Sequence, residues 1–217
     1  MTIDAVVFDL DGTLADTLED IAAAMNYALG RQSLPGHPAD EYRSLVGEGV
    51  RRLVERALPP GRADLREPVL ADLGAYYVEH MLDRTRPYPG VPEMLDALAI
   101  PAAVLSNKPQ AATTWMVERL FAQHRFAAVH GGRDDVPLKP DPAPLLAIVR
   151  KLEVEPARTA YVGDTRTDME TAVAAGAIPV GVEWGFRDRA ELVEHGARAV
   201  VATPAELLVL LDGRRPA

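Results

Sequence analysis

Cysteine is absent from the chain, which excludes disulfides and thiolate metal ligands and leaves carboxylate and imidazole groups as the available metal chemistry. Lysine is almost as scarce, occurring only at positions 108, 139 and 151. No cluster of basic residues is present, and the formal net charge is -9. The chain therefore lacks the positive surface with which a general nucleic-acid binder displaces counterions from phosphates. A small anionic ligand needs only a local group of cations and stays open. No apolar run approaches the length of a membrane span, and Met1-Thr2-Ile3-Asp4 leads into a strand-like stretch with no basic region before it. The expectation is a cytoplasmic protein with neither nucleic-acid nor membrane partners, either a monomer or a homodimer.

What is present is an ordinary globular composition, 48% hydrophobic and 25% charged over 217 residues. That is enough for one large domain or for a domain with an insert. The runs Ala5 to Phe8, Ala102 to Leu105, Ala127 to His130, Thr159 to Val162, Ile178 to Val182 and Ala199 to Ala202 read as buried strands. Alternating with helix-like segments, they predict a doubly wound α/β fold with a parallel sheet. Between Ala15 and about Arg86 the strand signal vanishes. Leu18, Ile21, Ala22, Met25, Ala28 and Leu29 recur at helical spacing, as do Val50, Leu53, Val54, Ala57 and Leu58, and then Leu65, Val69, Leu73, Tyr76, Tyr77 and Met81. Breaks at Leu34 to Pro38 and Pro59-Pro60-Gly61 separate these helices. The expected division is an α/β core of residues 1–15 and 86–217 with a helical insert over 16–85, and a frayed tail at Gly213 to Ala217.

Chemistry-bearing residues gather at four strand ends, the edge where open α/β sheets bind ligands. Asp9-Leu10-Asp11-Gly12-Thr13-Leu14 follows the first strand. Two residues apart on an extended chain, Asp9 and Asp11 project to the same side. Carboxylates this close repel, which favours a bound divalent cation or a shared proton. Val162-Gly163-Asp164-Thr165-Arg166-Thr167-Asp168 supplies two more acids, on one helix face or on the turn leading into it. In Ser106-Asn107-Lys108-Pro109, a hydroxyl and free N–H groups meet a helix start that Pro109 suits as first residue, which makes an anion site. In Leu138-Lys139-Pro140-Asp141-Pro142 the prolines stiffen the chain after Lys139, so that its ammonium is aimed. Singly, each segment is explained as well by a cap or a solvated surface residue. Jointly they deliver carboxylates, a hydroxyl and an ammonium to one rim.

This set of residues resembles the haloacid dehalogenase superfamily, whose four motifs correspond to Asp9-Leu10-Asp11-Gly12-Thr13, Ser106, Lys139 and Gly163-Asp164-x-x-x-Asp168. The resemblance spans essentially the whole chain and includes a helical cap inserted after the first strand. Gly47-Glu48-Gly49, Ser106-Asn107-Lys108-Pro109, Gly131-Gly132 before Lys139-Pro140-Asp141-Pro142-Ala143-Pro144, and Trp184-Gly185-Phe186 are similar to its phosphoglycolate phosphatase group. It implies a phosphatase with Asp9 as nucleophile, forming an aspartyl-phosphate, and Asp11 as general acid and base. It further implies Mg2+ held by Asp9, the Asp11 carbonyl and Asp164, with Asp168 a ligand or an orienting group. Ser106, Asn107 and Lys139 would bind phosphate, and Lys139 would be the non-carboxylate most costly to remove.

Asp11 favours phosphoryl chemistry over dehalogenation, and the insert has no lysine for a Schiff-base phosphonatase. A sugar-phosphate mutase, a capped inorganic pyrophosphatase and a noncatalytic phosphate-sensing module remain alternatives. Within a small phosphorylated metabolite such as 2-phosphoglycolate, Arg51 or Arg52 is the residue expected to pair with a carboxylate, unless both face solvent. Trp184 and Phe186 are expected at the entrance or in the core. His37, His80, His124, His130 and His195 have no metal-ligand spacing and receive no role.

Overall fold

A computed structural model describes residues 2–213; of the tail expected to fray, residues 214–217 lie outside the described residues. The strands are β1 (Ala5–Phe8), β2 (Ala15–Asp16), β3 (Arg86–Pro87), β4 (Ala102–Pro109), β5 (Ala128–Gly132), β6 (Thr159–Gly163), β7 (Ile178–Val182) and β8 (Ala199–Val201). The α-helices are α1 (Leu18–Arg31), α2 (Tyr42–Leu45), α3 (Val50–Ala57), α4 (Arg66–His80), α5 (Val91–Ala97), α6 (Gln110–Leu120), α7 (Ala143–Lys151), α8 (Arg166–Ala175), α9 (Arg189–Glu194) and α10 (Pro204–Leu211).

Six strands form one parallel sheet in the order β5-β4-β1-β6-β7-β8, the doubly wound α/β architecture expected from the sequence. Both faces are covered, which is why these strands are apolar at successive rather than alternate positions. Val6 and Phe8 join Val104, Val162 and Val180 in one buried cluster. Val7, between them in sequence, joins Leu105, Tyr161, Leu145 and Ile148 in another, as the two-residue period of a strand requires. The chain runs outward from β1 through β4 to β5, then returns to the other side of β1 as β6. That reversal opens a crevice at the carboxyl end of β1.

Helices α1 to α4 have their own buried cluster, with Met25, Leu29, Tyr42, Val54 and Val69 at its centre. The two connections to the sheet run side by side: β2 and β3 pair antiparallel, Ala15 with Pro87 and Asp16 with Arg86. Asp20, buried on α1, clamps the returning chain by accepting the N–H groups of Arg84 and Thr85 and the Thr85 hydroxyl. Strand β4 continues to Pro109 with a register shift after Leu105. Ser106, Asn107 and Lys108 thus lie on an irregular strand end rather than in a helical turn. Pro109, at φ -49° and ψ 138°, is extended and precedes α6 instead of opening it.

Candidate active site

Asp9 leaves the end of β1 with its N–H donated to the Val162 carbonyl, so the β1–β6 pairing sets its direction. Its Oδ1 lies 2.9 Å from the Lys139 ammonium, which is also 2.7 Å from Asp168 Oδ1. Asp168 is the third residue of α8 and forms a capping box with Thr165, and its Oδ1 also accepts from the Tyr161 hydroxyl. Both Asp168 oxygens are therefore engaged, one by Lys139 and Tyr161 and the other by the Thr165 N–H and hydroxyl. The bonding makes it a holder of Lys139. Asp164, just before α8, accepts from Thr13 Oγ1 at 3.0 Å and from the Phe186 N–H at 2.7 Å. Gly12, at φ +84°, lets the chain pass so close to Asp164 that a β-carbon there would collide with its carboxylate.

Carboxylate oxygens of Asp9, Asp164 and Asp168 lie within 4.8 Å of one another, all three residues buried. Burial drives the Asp9 carboxyl up to about 7, with Lys139 pulling it back and Asp168 and Asp11 pushing further. Burial, then Asp168 and Asp9, push Asp164 well above the usual carboxylate range. Desolvation disfavours the Lys139 ammonium, but Asp168 and Asp9 outweigh it and its pKa is raised. One ammonium beside three crowded acids leaves a deficit of positive charge. Hard oxygen donors in such a deficit suit a divalent cation such as Mg2+.

Asp11 faces a different cation. Lys108 Nζ lies 2.9 Å from Asp11 Oδ1, donates to the Tyr77 hydroxyl on α4 at 2.8 Å, and sits over the Tyr77 ring. Burial opposes the Lys108 charge, yet Asp11 and Tyr77 raise its pKa overall. Lys108 was not among the residues expected in the site, where Mg2+ and Lys139 are the cations expected from the sequence. Its spacing carried no signal, because its partners come from a strand end and a helix remote in sequence.

The other expected site residues divide. Ser106 is buried and, with Asp9, lines a cleft of about 440 Å3 that also takes in Asp11, Asn107, Lys108, Tyr77 and Arg51. Asn107 was expected to bind phosphate, but its amide is spent on protein: Oδ1 accepts the Lys139 N–H, and Nδ2 donates to the carbonyls of Lys139 and Gly47. It positions Lys139 instead. Arg52, expected as a partner for a substrate carboxylate, is not in the cleft wall; it is exposed and paired with Glu55 at 2.8 Å. Arg51 reaches the cleft, with its side chain 63% exposed and held by Glu67 at 3.0 Å. Trp184 donates from Nε1 to the Thr13 carbonyl, and Gly185 packs against Asp164 and Gly12. With the Phe186 N–H on Asp164, this segment braces the acid cluster. The Phe186 ring closes the helical cluster of α1 to α4.

The profile of the haloacid dehalogenase-like hydrolase family matches residues 6–182. A phosphoglycolate phosphatase of Neisseria meningitidis is 35% identical over 203 residues, 90% of this chain and 86% of that protein. One from Chromobacterium violaceum is 35% identical over 217 residues, 96% of each. The crystal structure of a candidate phosphoglycolate phosphatase from Lactobacillus delbrueckii subsp. bulgaricus superposes with a TM-score of 0.92 at 29% identity, covering 97% of this chain and 99% of that one.

Proposed function

The chain belongs to the haloacid dehalogenase-like hydrolases and is a phosphoric monoester hydrolase; from that premise we propose that it is Mg2+-dependent, works through an aspartyl-phosphate on Asp9, and takes 2-phosphoglycolate as substrate. The observation that carries the chemistry is the pairing of two neighbouring acids with two separate ammonium groups, Asp9 with Lys139 and Asp11 with Lys108, both acids lining one cleft. Asp9 is the group aimed at phosphorus, and Asp11 is free of the acid cluster to move a proton.

In the first step an Asp9 carboxylate oxygen bonds to phosphorus as the bond to the leaving alcohol oxygen breaks, and Asp11 gives that oxygen its proton. In the second, Asp11 takes a proton from water as the water oxygen attacks phosphorus, which returns Asp9 and frees inorganic phosphate. Lys139 compensates charge on Asp9 and the phosphoryl oxygens, and Ser106 offers its hydroxyl to the same oxygens. Asp9, the Asp11 carbonyl and Asp164 are the groups that would hold Mg2+, which when bound neutralises the phosphoryl charge. The names of the relatives support 2-phosphoglycolate.

The test is hydrolysis of 2-phosphoglycolate, β-glucose 1-phosphate, pyrophosphate and several sugar phosphates, with Mg2+ and with excess EDTA. We expect turnover only with Mg2+ and at least a tenfold preference for 2-phosphoglycolate, about 1.4 kcal/mol of barrier. Undiminished activity in EDTA removes the metal; a preference below tenfold removes the substrate assignment.

A further inference from the structure

Resting on the reading of the chain as a phosphatase, we propose that Lys108 and Tyr77 form a subsite for a carboxylate carried next to the ester carbon, so that the enzyme selects phosphate esters of 2-hydroxy acids. The arginines expected to do this do not fit the task. Arg52 is outside the cleft, and Arg51 is largely in solvent and tied to Glu67. The apolar residues of the cap wall, among them Leu53, Leu70 and Leu73, give an anion no partner. One further acid, Asp134, belongs to the exposed mouth.

Lys108 is different in kind. Its side chain is 5% exposed, and the ammonium sits in the cleft wall. One of its three N–H groups is donated to Tyr77 and Asp11 Oδ1 lies in ion-pair contact at 2.9 Å, which leaves at least one N–H. The Tyr77 hydroxyl accepts from Lys108 and, among the described residues, donates to none. Burial holds that hydroxyl protonated, at about 12 even with Lys108 offsetting part of the shift. An unspent ammonium N–H and an unspent O–H, adjacent at a partly buried contact, make a pair of donors for one carboxylate, and charge-assisted bonds of this type are the strong ones.

Reach sets the length of the acid. Asp11 must lie within one hydrogen bond of the leaving oxygen, and Lys108 lies 2.9 Å from Asp11 Oδ1, so when Oδ1 makes that bond the ammonium is at most about 6 Å from the leaving oxygen. In the ester of a 2-hydroxy acid the carboxylate oxygens sit about 3 Å from the ester oxygen, one hydrogen bond short of Lys108.

The experiment compares kcat/KM for 2-phosphoglycolate and for ethyl phosphate, which has the same backbone length and no carboxylate, using the Mg2+-loaded protein. The ratio of the two cancels any effect on Asp11 or on the folded fraction. We expect a wild-type ratio above 100, a tenfold lower ratio in Tyr77→Phe, a ratio near unity in Lys108→Met, and recovery in Lys108→Arg. Ratios unchanged in both Tyr77→Phe and Lys108→Met overturn the subsite, and Tyr77→Phe keeps the test alive if Lys108→Met fails to fold. A wild type that hydrolyses both esters equally well also overturns it while leaving the phosphatase intact. Hydrolysis of neither instead removes the reading on which the subsite rests.

Discussion

Asn107 grips Lys139 on both sides of its main chain, accepting the Lys139 N–H at 2.9 Å and donating to the Lys139 carbonyl at 3.0 Å. The remaining Nδ2 hydrogen goes to the Gly47 carbonyl at 3.2 Å, in the turn before α3. One amide therefore sets where the ammonium beside Asp9 sits and ties that position to the helical insert.

Asn107→Ala should lower kcat by tenfold or more and reduce the melting temperature. It strands a buried N–H and a buried carbonyl at about 1–3 kcal/mol each, and a misplaced ammonium costs rate even when substrate still binds. Steady-state kinetics and thermal unfolding check this. A kcat within twofold of wild type means that Lys139 is held without Asn107.

The sheet was legible because strands buried on both faces leave apolar runs that no surface element imitates, and α1, α3 and α4 were legible through their 3.6-residue spacing. The β2–β3 ladder was not: four residues paired by main-chain bonds leave no side-chain pattern. Asp9, Asp164 and Lys139 could be placed on one rim because each follows a sheet strand. Lys108 escaped because its role depends on Tyr77, 31 residues away, and on Asp11. Between Arg51 and Arg52 the sequence offers no choice, since only the docking of α3 decides which of two adjacent side chains meets the cleft. Asn107 has the right chemistry for an anion and a different employment, because Gly47 and Lys139 reach its amide first.

Lys139→Met should cost more than any other substitution outside the carboxylates, a fall in kcat of roughly 100- to 1,000-fold, the scale of losing a principal charge-stabilising group. Lys139→Arg should rescue little. A planar guanidinium cannot occupy the point at which one ammonium touches both Asp9 and Asp168. Comparable losses from Ser106→Ala would overturn the ranking.

Metal-free stability should fall as pH rises. The Asp9 carboxyl goes from 3.8 to about 7 on folding, chiefly through burial, so the folded chain holds this proton more tightly than the unfolded chain. Its contribution is fully present below about pH 4 and is lost between about pH 4 and 7, by up to about 4 kcal/mol at 1.36 kcal/mol per unit. Asp164 shifts in the same direction. Mg2+ binds the ionised acids and should reverse the loss, raising the melting temperature much more at pH 8 than at pH 5. Equal Mg2+-induced increases at the two pH values would contradict the charge deficit inferred for Asp9, Asp164 and Asp168.

Glu48, in the turn before α3, meets Arg56 and, at 2.7 Å, Arg166 at the start of α8. Burial works against its charge, but the bonds to Arg56 and Arg166 prevail and its pKa is lowered. Arg43 on α2 donates to the Gly185 carbonyl, and Arg187 donates to the carbonyls of Ser44 and Val46. Together these contacts latch the insert onto the start of α8 and the segment between β7 and α9, next to the acid cluster. Because the Arg166 side chain is 47% exposed, its removal should cost little stability, under about 1 kcal/mol. It should nevertheless raise KM several-fold, since apparent affinity falls with the fraction of molecules held closed. Added salt should do the same to the wild type and less to Arg166→Ala, because screening weakens an ion pair that the variant no longer has. Identical salt dependence of KM in the two proteins would show that Glu48 and Arg166 do not hold the insert in place.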